Sequence, residues 1–202
     1  MSPVAPPTRV LTYGEDIQPE EVDDLAPIGI SGSRTFRALD IVSHWVDLAG
    51  PGALIVGDAV GVDTVVMAEA ERLGNRTVIV VPFRTGHGKA GGLLRNPDVA
   101  IHAREFVAFW SGQPNPHGRR GTVDMGSTGT AHATLWALVY GKPVTIYLPD
   151  GQYVTIPAPQ RGKGTIIPRR SPLHPAQEPP PLQPPERRGP PPPKRPAALP
   201  FT

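Results

Sequence analysis

Between Pro27 and about Pro157 short apolar runs recur with helical stretches between them, and this alternation restricts the fold more than any other feature. The runs are Ile28–Ile30, Leu54–Val56, Thr77–Val81, Glu105–Trp110 and Val144–Tyr147. The first gap carries Leu39, Val42, Val46 and Ala49 at helical spacing, widened by Ile41, Trp45 and Leu48 and stopped by Gly50. A second helix is predicted from about Asp63 to Leu73, closed by Gly74, and a third opens in the turn 126–130 and runs through Tyr140 to Gly141. Strands that are apolar throughout, rather than on alternate residues, are buried on both faces. The expected fold is therefore α/β: a Rossmann-like, mostly parallel sheet with helices on both faces. Pro149-Asp150-Gly151 turns the last strand back into Tyr153–Ile156 as an antiparallel edge hairpin.

The flanks are of different composition. Residues 157–202 hold 16 of the 28 prolines and eight basic residues against Glu178 and Glu186, a net +6, whereas residues 1–156 carry −4. The sequence pI near 9.1 thus belongs to the tail. Proline runs with few large apolar residues favour extended polyproline II over a core, so 158–202 is expected to be a disordered basic tail. PPLQP at 180–184 and PPPPKRP at 190–196 have the spacing that aromatic grooves on a protein partner recognise. Residues 1–26, acidic around Glu20, Glu21, Asp23 and Asp24, are expected to be a flexible arm, with a short strand conceivable near Val10–Tyr13. There is no cysteine, which removes disulfides, thiolate metal sites and thiol nucleophiles. Apolar runs are too short to span a bilayer, and MSPVAPPTRV lacks the pattern of a signal peptide. The expectation is a cytoplasmic protein that makes no membrane contact.

In such a sheet a ligand lies beyond the C-terminal strand ends, where the strand order reverses. Three turns of unusual composition fall there. Gly32-Ser33-Arg34-Thr35 follows the first strand; its small residues can present backbone N–H groups to an anion, and Arg34 adds a bidentate contact. Thr35 as a helix N-cap is the structural alternative. Gly57-Asp58-Ala59-Val60-Gly61-Val62-Asp63 follows the second strand, with Asp63 where an N-cap acceptor is expected. Asp58 has no comparable structural task and is a candidate ribose or amine contact. Gly126, Ser127, Thr128, Gly129 and Thr130 suit a phosphate at a helix N-terminus, without being a Walker loop or a GxGxxG fingerprint. A fourth segment, 86–96, brings Lys89 and Arg95 in a glycine-rich setting; Asn96 precedes Pro97 and should therefore end or begin an element.

SGSRTF at 31–36, GDAVGVD at 57–63, GKAGGLLRN at 88–96 and GSTGT at 126–130, in that order, resemble the SLOG superfamily, most closely its YspA-like branch, related to the Rossmann domain of the DNA-processing protein DprA. The resemblance spans roughly 27–148. It implies a domain that binds nucleotides or nucleotide-derived ligands such as ADP-ribose-like molecules. By motif it assigns Gly32, Ser33, Arg34, Gly57, Asp58, Ala59, Asp63, Arg95, Asn96, Gly126, Ser127, Gly129 and Thr130 to ligand binding. Related cytokinin-activating, LOG-type phosphoribohydrolases carry PGGxGTxxE; here Met125 stands at the proline and Ala133 at the glutamate. Without that carboxylate no group is evident to stabilise an oxocarbenium-like transition state, so the reading leans away from an enzyme and names no catalytic residue.

Other chemistry is thinly represented. Asp58 with Asp63 or Asp124 would be the carboxylate pair for N-glycosidic hydrolysis, the third-ranked reading. His44, His87, His102, His117, His132 and His174 show no metal-ligand spacing and are read as surface or helix residues. His132, two residues into the last helix, could reach a ligand at the third turn, with a solvent-facing side chain as the favoured alternative. Trp110, at a strand end, is either a base-stacking or a packing residue. The loop His117–Gly121, with Arg119 and Arg120, is a candidate phosphate clamp. The second-ranked function is DprA-like single-stranded DNA binding, against which stands the net acidic 1–156. Homodimerisation stays open, with no residue establishing it.

Overall fold

The computed structural model describes residues 6–111 and 128–158. The tail beyond 158 and the loop holding His117, Arg119, Arg120, Asp124, Gly126 and Ser127 lie outside the described residues. A seven-stranded sheet forms the centre: β1 (Arg9–Thr12), β2 (Ile28–Gly32), β3 (Gly52–Val56), β4 (Arg76–Val80), β5 (Glu105–Phe109), β6 (Val144–Tyr147) and β7 (Tyr153–Ile156), in the order β1-β4-β3-β2-β5-β6-β7. All neighbours are parallel except β6 and β7, which form the antiparallel edge hairpin. This is the α/β, Rossmann-like arrangement expected.

Strand parity divides the core into two. Ile30, Leu54, Val56, Val78, Val107 and Phe109 join one cluster, under helices α2 (Leu39–Leu48) and α3 (Val62–Leu73). Ile55, Ile79, Phe106 and Ala108, one residue out of phase, join the other, under α1 (Pro19–Leu25), α4 (Gly91–His102) and α5 (Thr128–Val139). Because side chains alternate across a strand, a continuous apolar run feeds both layers. At roughly 1.5–3 kcal/mol for each fully buried Val, Leu, Ile or Phe, these two clusters supply most of the driving force for folding.

Two expectations are corrected. Residues 9–25 are not a loose arm: β1 pairs with β4 from Arg9↔Thr77 to Thr12↔Val80, and α1 buries Val22 completely. Ile17 and Val22 belong to the core, with Leu11 and Tyr13 packed against it, so a few well-spaced apolar residues anchor an otherwise acidic segment. Nor does Asn96 mark a boundary. It and Pro97 lie inside α4, which continues to His102. Proline there removes the hydrogen bond to the Leu93 carbonyl. Burial of Val99 and Ala100 and a tertiary hydrogen bond from Asn96 outweigh that loss.

Candidate functional site

Strand order reverses at β2: the chain moves outward through β3 and β4 on one side, and through β5 and β6 on the other. The crevice between the C-terminal ends of β2 and β5 is thus the expected ligand position. The two strands are tied there, the Ser33 N–H donating to the Phe109 carbonyl at 3.0 Å.

The first turn is stitched to itself. Ser33 is buried, its Oγ 2.8 Å from Thr35 Oγ1 and accepting from the Thr35 N–H, while the Phe36 N–H donates to the Ser33 carbonyl. The expected cradle of free N–H groups is therefore largely spent on the turn, and Thr35 does not cap α2, whose N-cap is Ala38. Gly32 serves packing: a Cβ there would come within 2.2 Å of Val62. What the turn offers a ligand is the exposed Arg34.

The second turn builds a seat for Arg95. A Cβ at Gly57 would meet the Arg95 guanidinium at 2.3 Å, so the missing side chain lets the cation lie on the backbone. Arg95 Nη1 donates to Asp58 Oδ1, and Nη2 lies 3.4 Å from Asp63 Oδ2. Asp58 also accepts the Phe83 N–H on Oδ2 at 2.7 Å. This aspartate, assigned no structural task from sequence, thus ties β3 to the segment after β4. Asp63 is not the N-cap; Gly61, at φ +114°, takes that place, and Asp63 accepts the Ala59 N–H from within the first turn of α3.

Electrostatics favour an anion. Burial pushes the Asp63 carboxyl up to about 7, against the pull of the Ala59 N–H and the nearby Arg34. Arg95 is held below the usual guanidinium range, first by burial and then by repulsion from Arg34. Two guanidiniums therefore lie beside a carboxyl, Asp63, that burial holds toward its neutral form. Among the described residues the buried Nε of Arg95 has no hydrogen-bond partner.

At the start of α5, Gly129 and Thr130 lie within the helix, and Thr130 is buried. Asn96 is buried on α4, and its amide donates to the Gly129 carbonyl at 3.0 Å, with His132 Nδ1 at 3.3 Å. It positions the start of α5. His132 is not solvent-facing: the Trp136 indole N–H donates to its Nε2, and burial lowers its pKa. Ala133 is buried in the core. Trp110 packs against the core.

The structure also assembles residues that sequence left apart. Tyr13 Oη lies 2.9 Å from His102 Nε2, and His102 Nδ1 lies 2.7 Å from Asp23 Oδ1. His102 lies at the end of α4, as the helix half of its reading has it, but it is buried rather than on the surface. Burial pushes the Tyr13 hydroxyl up to about 12, so it stays protonated. No local spacing announces this chain, since its members come from the residue after β1, from α1 and from α4. Asp58 and Asp63, the carboxylate pair considered for hydrolysis, are both engaged by one guanidinium. Among the described residues no group of three or more His, Asp or Glu could hold a metal ion, and no helix is long and apolar enough to cross a membrane. Comparison with protein-family models, with curated proteins and with solved structures finds no match to the chain.

Proposed function

We propose that this domain binds a nucleotide or nucleotide-derived ligand, its phosphate lying against Arg34 and Arg95 at the C-terminal edge of the sheet. One observation carries the reading. A buried arginine is seated on a glycine, fixed by two carboxylates and set beside a second, exposed arginine, next to the point where strand order reverses. Ordinary packing does not need a guanidinium there, because burying one costs several kcal/mol unless the pairing is good. Preorganised arginines are, by contrast, what planar recognition of phosphate requires. The motif resemblance to the SLOG superfamily supports the same ligand class. Binding or sensing rather than turnover is favoured by Ala133 and by the engagement of both aspartates with Arg95.

The test is a thermal-shift series on the full chain with ADP-ribose, NAD, AMP and oligo-dT. The reading expects stabilisation by at least one small nucleotide, lost in Arg34→Ala and in Arg95→Ala. A shift with oligo-dT alone, steeply weakened by salt, would replace it with single-stranded DNA binding. Turnover of a bound nucleotide, seen by chromatography, would add hydrolysis.

A further inference from the structure

A second cavity, of about 390 Å³, opens at the C-terminal ends of β1 and β4 and is lined by Tyr13, Phe83, Arg84, Thr85, His87 and Asp98 among others. Its size falls in the range of about 300–1,000 Å³ usual for small-molecule sites. Three features make it more than a surface dent.

Phe83 is 38% exposed, though its backing is elaborate. A Cβ on Gly91 would fall 2.3 Å from the Arg84 carbonyl oxygen and 2.6 Å from the ring, so the glycine that opens α4 lets the ring lie on the helix. The ring is therefore held from behind while part of it stays open. Tyr13, on another wall, is pinned through its hydroxyl by His102, which Asp23 holds in turn. Two polar side chains are thus used to fix one aromatic. At the rim Arg84 Nη2 and Asp98 Oδ2 pair at 2.5 Å, which places a donor and an acceptor beside the aromatic walls.

The cavity is joined to the anion cluster by a single side chain. Asp58 accepts from Arg95 on one oxygen and from the Phe83 N–H on the other. A ligand phosphate on Arg34 and Arg95 is then one carboxylate away from the Phe83 wall. An open aromatic face with hydrogen-bonding groups at the rim suits a flat heterocycle that stacks and presents polar edges.

We infer that this cavity seats the base of the ligand, stacked against Phe83, and so decides which nucleotide is accepted. The inference rests on the phosphate reading above, and the two are separable by experiment. Binding to the full chain is measured calorimetrically for the four nucleoside 5′-monophosphates, the four nucleosides and ribose 5-phosphate. At least one monophosphate should bind about tenfold or more tighter than ribose 5-phosphate, the scale of one base–aromatic stack. Phe83→Leu should erase that advantage without changing ribose 5-phosphate affinity, and Phe83→Trp should keep it. Equal binding of every monophosphate and ribose 5-phosphate to the wild type would overturn the base seat and leave the phosphate site standing. Equal loss for all ligands in Phe83→Leu would do the same. A nucleoside that binds in a Phe83-dependent way, with no gain from its phosphate, would keep the cavity and remove the phosphate reading. No binding of any kind would remove both.

Discussion

Two arginines are buried at opposite edges of the same sheet, and their surroundings differ in kind. Arg76 opens β4 at the N-terminal edge and is 6% exposed; its Nη2 donates to the Val46 carbonyl near the end of α2 at 2.6 Å, and among the described residues Asp47 and Glu69 act on it without forming an ion pair. A cation on the last turn of a helix satisfies an orphan carbonyl and complements the helix dipole. Arg95, 7% exposed at the C-terminal edge, is balanced by Asp58 and Asp63 and crowded by Arg34. Equal burial therefore hides two settings: the first arginine is tied to a helix carbonyl, and the second, on the proposed function, keeps a charge ready for a phosphate.

Breaking the two should separate stability from binding. Arg76→Met removes the hydrogen bond to the end of α2 and is expected to cost about 1–3 kcal/mol in urea unfolding, leaving nucleotide affinity unchanged. Equal losses of stability and affinity would merge the two roles. Gly57→Ala is the next largest test. Its methyl group displaces the Arg95 guanidinium, so affinity for a phosphate ligand should fall about tenfold or more while the fold persists. Unaltered titration curves would show that the seat is irrelevant to binding.

Protonation sharpens the contrast further, because Asp63, beside Arg95, is a carboxyl raised by burial. Its carboxyl sits near 7 in the folded chain against a reference of 3.8. Between those values the folded state holds a proton that the unfolded state has released, so this group makes stability fall as pH rises from about 4 to about 7 and adds no slope above. Asp63→Asn should flatten that part of a melting profile. Protonated Asp63 also leaves more of the Arg95 charge uncompensated, so phosphate affinity should strengthen as pH drops through 7. An unchanged pH profile in the variant would reassign the slope. The smallest effect is expected at Arg72, whose exposed pair with Glu69 should be dispensable for both melting and binding.

How far the sequence alone carries is visible in the same residues. The parallel core was legible because buried strands are apolar throughout, and the turns at 32–35 and 57–63 lie at the C-terminal edge of the sheet because they follow β2 and β3. What escaped depended on contacts distant in the chain. Gly57 and Gly32 read as room for a ligand, yet their neighbours are Arg95 and Val62. Asp58 looked idle because its partner, the Phe83 N–H, lies 25 residues away. The N-terminal segment read as loose because four acidic residues masked Ile17 and Val22. Pro97 suggested a break, since local backbone preference says nothing of the hydrogen bond to Gly129 that holds α4 together.

The central claim is that the C-terminal arginine, and not its equally buried counterpart, holds the phosphate. Isothermal titration of the tightest-binding nucleotide into wild type, Arg95→Met and Arg76→Met decides it. The account predicts that binding disappears in Arg95→Met and survives at wild-type affinity in Arg76→Met below its melting temperature. Wild-type affinity in a folded Arg95→Met chain would contradict it.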